Sequence, residues 1–144
     1  MKTAKELTRE WFDRVWNHLD RSAIEELMDP ECEILGLTAT VRGPRGFLSV
    51  HESFTKAFDQ IHVELVELVA EENEVAGHAR FGARHRESQR QVDMMFSFSG
   101  KFENGRLKQV RHVVDYTSLL AQLNLFDPRR IGVVFSSGQE DLVS

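Results

Sequence analysis

Apolar residues recur with two different periods along this chain, and the changeover falls near Gln60. Before it, Leu7, Trp11, Val15 and Leu19 stand four residues apart, and Phe12 and Trp16 widen the stripe. That spacing describes one face of a helix packed on a core. Thr3 and Glu6 have the separation of a capping box and set the helix start. Asn17–Asp20 interrupts the pattern, and Asp20 is placed to cap a second short helix, Arg21–Met28, ended near Asp29-Pro30. Glu31–Leu37 reads as a strand. Val41-Arg42-Gly43-Pro44 is a turn that puts Pro44 where proline opens a helix. This third helix carries Phe47, Val50, His51, Phe54, Ala57 and Phe58 on one broad face.

After Gln60 the apolar residues alternate, which is the period of strands. Val63, Leu65 and Val69 fit one strand, and Glu71–Glu74 makes its turn. The return strand sets Val75, Gly77, Ala79, Phe81, Ala83 and His85 against His78, Arg80, Arg84 and Arg86. Arg86–Arg90 is a polar loop, and Val92, Met94, Phe96, Phe98, Gly100 and Phe102 mark the next strand. Asn104-Gly105 is the strongest hairpin signal in the chain and leads into a last strand, Arg106–Tyr116. Helices first and a meander of long strands afterwards predict an α+β fold. Three N-terminal helical segments would pack on one face of a curved, mostly antiparallel sheet, with room for a cavity between them.

A length of 144 residues points to one domain with a proper core. The formal charge of −5 is unpatterned and argues against nucleic acid or an anionic membrane as the partner. No apolar run approaches the ~20 residues that cross a bilayer, and MKTAKELTREWF has no apolar core of a signal peptide. A lone Cys32 cannot form an internal disulfide and suits a reducing, cytoplasmic setting as a small core residue.

The chemistry concentrates in Gly105–Asn124. Val110, His112 and Val114 share one strand face, and Arg111, Val113 and Asp115 the other. An imidazole with an ordinary pKa of about 6.5 accepts a proton at neutral pH, and apolar surroundings favour that neutral form. It can therefore remove an acidic proton next to a carbonyl. It can equally be a core histidine bonded to a backbone group or hydroxyl. His85 shares a face with Phe81 and Ala83 and is a second candidate, to orient a ligand or relay a proton, or simply a histidine at a strand end. His51 is a weaker candidate, and Asp93 reads as a solvated or ion-paired carboxylate. No His-x-His, His-Glu-x-x-His or cysteine pair occurs, so neither a metal nor a cofactor is expected. Gly-Pro-Arg-Gly at 43–46 is too short for a phosphate loop, and no Gly-x-Ser-x-Gly elbow is present. Arg80, Arg84, Arg86 and Arg90 are diluted by Glu87 and its neighbours.

The element order and four short motifs resemble the SnoaL-like polyketide cyclases of the nuclear-transport-factor-2-like superfamily. The motifs are Trp16-Asn17 with Asp20, Val41-Arg42-Gly43-Pro44, Gly105-Arg106-Leu107, and Gln122-Leu123-Asn124 where the family often has Gln-Leu-Gly. The likeness runs over Glu6–Asn124 and speaks for fold more than for reaction. It implies a cone-shaped sheet closed on one side by helices, in a homodimer through the sheet's outer face. That face would carry Met95, Ser97, Ser99, Lys101, Arg111 and Val113. Family cyclases place a base aspartate on the last strand just after an arginine; after Arg111 this chain has His112, and Asp115 matches a second acid that is not the base. The superfamily's epoxide hydrolases need an Asp–Arg–Asp set, of which Asp93 and Arg111 are present but His112 replaces the second aspartate. The resemblance thus implies a protein for a small hydrophobic or aromatic ligand. It would be a cyclase or isomerase with His112 as base and Trp16, Phe47, Phe54, Phe58, Met94 and Phe96 lining the pocket. The alternative is a non-catalytic ligand-binding or dimerisation module. Residues 1–126 would form the domain and 127–144 an extension. There Asp127-Pro128 precedes the β-prone run Ile131–Phe135, expected to dock over the cavity mouth or on a partner subunit, with Gly138 and Asp141–Ser144 after it.

Overall fold

The structure is a computed structural model that describes residues 1–136. Helix α1 (Ala4–Trp11) starts at a capping box: Thr3 accepts from the Glu6 amide, and the Glu6 carboxylate accepts from the Thr3 amide. It runs directly into a wider π-helical turn, Phe12–Asn17. The extra residue per turn brings Phe12, Val15 and Trp16 onto the core side together with Leu7 and Trp11. The same change ends the stripe early. Leu19 lies beyond the turn at a positive φ of 52° and is 47% exposed, so its four-residue spacing does not make it a core residue. Arg14 ties this turn to α2 (Ser22–Leu27) through an ion pair with Glu26, and it also pairs with Glu10 of α1 and with Asp20 ahead of α2.

Strands β1 (Met28–Leu35) and β2 (Val41–Arg42) lead into α3 (Gly43–Ala57), where Pro44 sits in the first turn as its fixed φ favours. Then come β3 (Phe58–Glu71), β4 (Glu74–His85), β5 (Gln91–Glu103) and β6 (Arg106–Val114). The chain therefore has an α+β fold with one six-stranded mixed sheet, ordered β2-β1-β6-β5-β4-β3. All pairs are antiparallel except β1 with β6, which run parallel. Asn104 and Gly105 both take positive φ, 53° and 78°, as a two-residue β5–β6 hairpin of this twist demands.

Several features differ from the sequence expectation. The second helix ends at Leu27 and β1 takes Met28–Pro30, so that strand begins three residues early, and β6 stops at Val114. Phe58 is the first residue of β3 rather than the last on the helix face, yet it is buried all the same. In β3 the register shifts between Leu65 and Glu67. A bulge reverses the inside–outside alternation, so Val63 and Leu65 point to the core but Val69 is 63% exposed. After α4 (Tyr116–Gln122), the β-prone run Ile131–Phe135 lies in a short helix, α5 (Arg129–Phe135). None of its residues is buried, and Phe135 is 83% exposed. β-branched residues favour strands only where a neighbour pairs with them, and this segment is not in the sheet. Among the described residues of the extension, α5 buries none against the rest of the chain. Gly138 and Asp141–Ser144 lie outside the described residues.

The inward face of the sheet and the helices share one core, with Ala79, Phe81, Met94, Phe98 and Val110 meeting Leu7, Trp11, Phe12, Val15 and Phe47. Asn17 fastens the layers: its amide accepts from the Val63 N–H at 2.7 Å and donates to the Val63 carbonyl at 3.0 Å, as a neighbouring strand would. Cys32 is fully buried in β1. Burial pushes its thiol up to about 12, which leaves it protonated and unreactive in the folded chain. No helix among the described residues is long and apolar enough to cross a membrane.

Candidate functional site

His112 is placed by the middle of β6. Its register partner on β5 is Phe98, and Phe96 faces Val114 next to it. On the other side β1 runs parallel, pairing Ile34 with Val110 and Leu35 with Arg111. The ring is half-buried, 6.4 Å from the Phe96 ring, with Nδ1 3.3 Å from the Leu35 carbonyl oxygen. Burial lowers its pKa below the ordinary histidine value, and the carbonyl contact offsets this in part. At neutral pH the ring is a neutral base.

His112 forms part of the wall between two small cavities. The larger, about 60 Å³, is lined by Trp16, Phe47, Phe54, Met94 and Phe96, with Tyr116 at its outer end. The second, about 30 Å³, is lined by Thr8, Phe98, Phe102, Leu107 and Val110. Trp11, Phe12, Phe47 and His112 border both. Aromatic rings meet edge to face around Trp16: Phe54 is 5.6 Å away, Phe47 6.1 Å and Phe81 6.4 Å. Such contacts hold the wall in place by about 0.5–1.5 kcal/mol each. Leu37, Val50, Phe54 and Tyr116 separate the inner cavity from a surface recess of about 260 Å³, which also holds Thr38, Ala39 and Ser53. Burial raises the Tyr116 phenol above its usual pKa, so its hydroxyl stays a donor. A wider groove of about 500 Å³ lies on the opposite face of the sheet, among Val69, Ala76, Ser99, Lys101 and Arg111. It is open and mixed in polarity, and it contains none of the candidate base or pocket residues.

Five of the six pocket residues expected from sequence thus line one cavity with His112. Phe58 does not; it packs behind Phe54, 6.1 Å away, and Phe81, 5.7 Å away. His85 lies apart from the cavity, at the end of β4, where its Nδ1 faces the Ser88 hydroxyl at 2.8 Å and Phe58 lies 5.5 Å away. His51 is buried to 1% exposure in the helix layer. Its Nε2 donates to the Val15 carbonyl at 2.8 Å, while Nδ1 has no partner. Burial lowers its pKa as well, and it borders neither cavity. Asp93 is exposed, and its backbone is bracketed by the Gln122 side chain. Among the described residues no group of three or more His, Cys, Asp or Glu is gathered to hold a metal. Trp11, Phe12, Leu37 and Tyr116 are cavity residues that periodicity alone does not separate from ordinary core.

The SnoaL-like polyketide cyclase family model matches residues 6–123, from α1 to the end of α4. The chain belongs to that family. Among solved structures, this SnoaL-like chain superposes on AclR from Streptomyces galilaeus, provisionally assigned as a hydroxylase, with a TM-score of 0.77 at 22% identity, covering 86% of this chain and 97% of that one. IdmH from Streptomyces antibioticus, provisionally assigned as a polyketide cyclase, gives 0.78 at 18% identity over 85% and 99%. A Catenulispora acidiphila protein of ketosteroid isomerase-like fold, solved with trimethylamine, gives 0.75 at 15% identity over 85% and 98%. At these identities the likeness establishes the shared fold, and the reaction has to be argued from the site. No curated protein sequence gives a significant match.

Proposed function

We propose that this SnoaL-like protein binds a small hydrophobic or aromatic carbonyl compound and acts as a cyclase or isomerase with His112 as general base. The observation that carries the reading is a neutral, half-buried imidazole in the wall of an aromatic cavity. The imidazole lone pair takes a proton from carbon next to the carbonyl. The C–H electrons become a carbon–carbon double bond, and the carbonyl oxygen becomes an enolate. The enolate carbon then attacks a second carbonyl to close a ring, and the alkoxide this forms takes the proton back from the imidazolium; in isomerisation the imidazolium returns the proton at another position. A well-placed general base contributes a factor of about 10²–10⁴. In this reading the sheet is the wall of a cone and the helices its cover, with Leu37, Val50, Phe54 and Tyr116 as the passage from the outer recess.

A second reading, a non-catalytic ligand-binding or dimerisation module, is favoured by the size of the inner cavity. About 60 Å³ holds a few waters and takes a larger ligand only if side chains at the passage move. Exchange of the α-protons of 2-tetralone in deuterated buffer, followed by NMR, distinguishes the two. Exchange that is lost in a folded His112→Ala variant supports the enzyme; full exchange in that variant removes His112 as the base.

The homodimer is part of the proposal. Val113 is 69% exposed on the outer face beside the wide groove, and α5 presents Val134 and Phe135 to solvent. A second copy would cover both. A monomer by light scattering at micromolar concentration would count against it.

A further inference from the structure

We propose that the backbone carbonyl of Leu35, held against β6 by Gly36, fixes His112 in the tautomer protonated on Nδ1 and so makes Nε2 the reactive nitrogen. The inference rests on His112 as the base, but the tautomer is a property of the free protein and is read without any substrate.

A neutral imidazole carries one N–H, and its position decides which nitrogen can accept a proton. A carbonyl oxygen only accepts. The Leu35 oxygen, 3.3 Å from Nδ1, therefore requires the hydrogen on Nδ1. Among the described residues Nε2 is left with its lone pair and no protein partner, and it is not sealed, since the one buried side-chain nitrogen or oxygen without a partner there is Nδ1 of His51. The other two histidines considered as candidates are set the other way. His51 donates from Nε2 to Val15. His85 accepts the Ser88 amide at Nδ1, 3.3 Å, which places its hydrogen on Nε2.

Gly36 lets the Leu35 carbonyl reach the ring. It follows β1 with a φ of +87°, in the left-handed region that favours glycine. A Cβ built there would lie 1.8 Å from the His112 carbonyl oxygen and 2.8 Å from its carbonyl carbon. Any side chain at 36 has to lift the end of β1 off β6, and the Leu35 carbonyl moves with it. Gly36 is thus a positioning residue, acting on the base through its neighbour's backbone. The bond it preserves is long for N–H···O, so a small displacement removes it.

Long-range ¹H–¹⁵N spectra of the ¹⁵N-labelled full chain, recorded above the histidine titrations, test this. His112 should show a protonated-type Nδ1 and an unprotonated-type Nε2, and His51 the reverse, as an internal reference. A His112 proton on Nε2, or averaging between tautomers, overturns the proposal. In Gly36→Ala the His112 signals should move toward averaging while those of His51 stay; an unchanged His112 pattern in the folded variant overturns the role of Gly36. Should that variant fail to fold, the wild-type spectrum still decides the tautomer. Activity retained by His112→Ala with the expected tautomer would refute the catalytic reading and leave this one standing.

Discussion

His51 and His112 begin with the same chemistry and are built into opposite situations. Each gives one ring nitrogen to a backbone carbonyl at an irregular point of the chain. For His51 this is Val15, near the end of the π-helical turn where carbonyls run out of helical donors, at 2.8 Å. For His112 it is Leu35, at the end of β1, at 3.3 Å. Burial lowers the pKa of both. Their second nitrogens differ: Nδ1 of His51 is enclosed with no partner, whereas the His112 ring borders two cavities. A perturbed pKa marks a buried base but does not mark a useful one. Access of the remaining lone pair separates a residue that holds the helix layer from one that can do chemistry.

Replacing each histidine in turn is the most severe test of this contrast. His112→Ala should lower any α-proton exchange by about 10²–10⁴-fold with little change in urea midpoint. His51→Ala should do the reverse, costing about 2–4 kcal/mol by leaving the Val15 carbonyl unpaired beside a new void. Comparable stability losses in the two variants would erase the distinction.

Acid should act on both residues, but through different readouts. Unfolded histidines titrate near pH 6.5, at about the ordinary value, and these two titrate lower when folded. Between those points the unfolded chain binds more protons. Stability is therefore level above about pH 6.5 and falls as pH drops below it. Catalysis needs His112 neutral, so kcat/KM should also be level above that pH and fall only through the lowered His112 pKa. His51→Ala should flatten part of the stability profile and leave the activity profile in place.

Val50 walls both the inner cavity and the outer recess. Val50→Ala should cost about 1 kcal/mol and speed ligand binding on the His112 side, measured by stopped-flow quenching of tryptophan fluorescence. Slower binding would argue against this passage. The smallest effect is expected at the far end of α1. Thr3→Ala removes the cap, for about 1 kcal/mol by urea denaturation, and should leave both histidine spectra unchanged.

Local rules read well from sequence where a few adjacent residues determine the outcome. The Thr3–Glu6 cap, Pro44 in the first turn of α3, and the Asn104-Gly105 hairpin are of this kind. The alternation that puts Met94 and Phe98 inside with Phe81 was equally legible. Long-range geometry was not. The bulge that turns Val69 outward is fixed by pairing with β4, and the β-prone run Ile131–Phe135 lies in α5, outside the sheet. The site was half legible for the same reason. Period two placed His112 on the inner face, but Leu35 lies 77 residues away in the chain, and the carbonyl that holds the ring is invisible until β1 and β6 are side by side.

The parallel β1–β6 pair also contains the chain's only thiol. Cys32 sits fully buried three residues before Leu35 and stays protonated in the folded protein. It should be silent to alkylating reagents while this strand is in place and react once the strand leaves. The wild-type chain therefore carries its own chemical clock. The rate at which Cys32 is labelled should measure how often the strand that supports His112 opens, and a ligand seated against that strand would slow it.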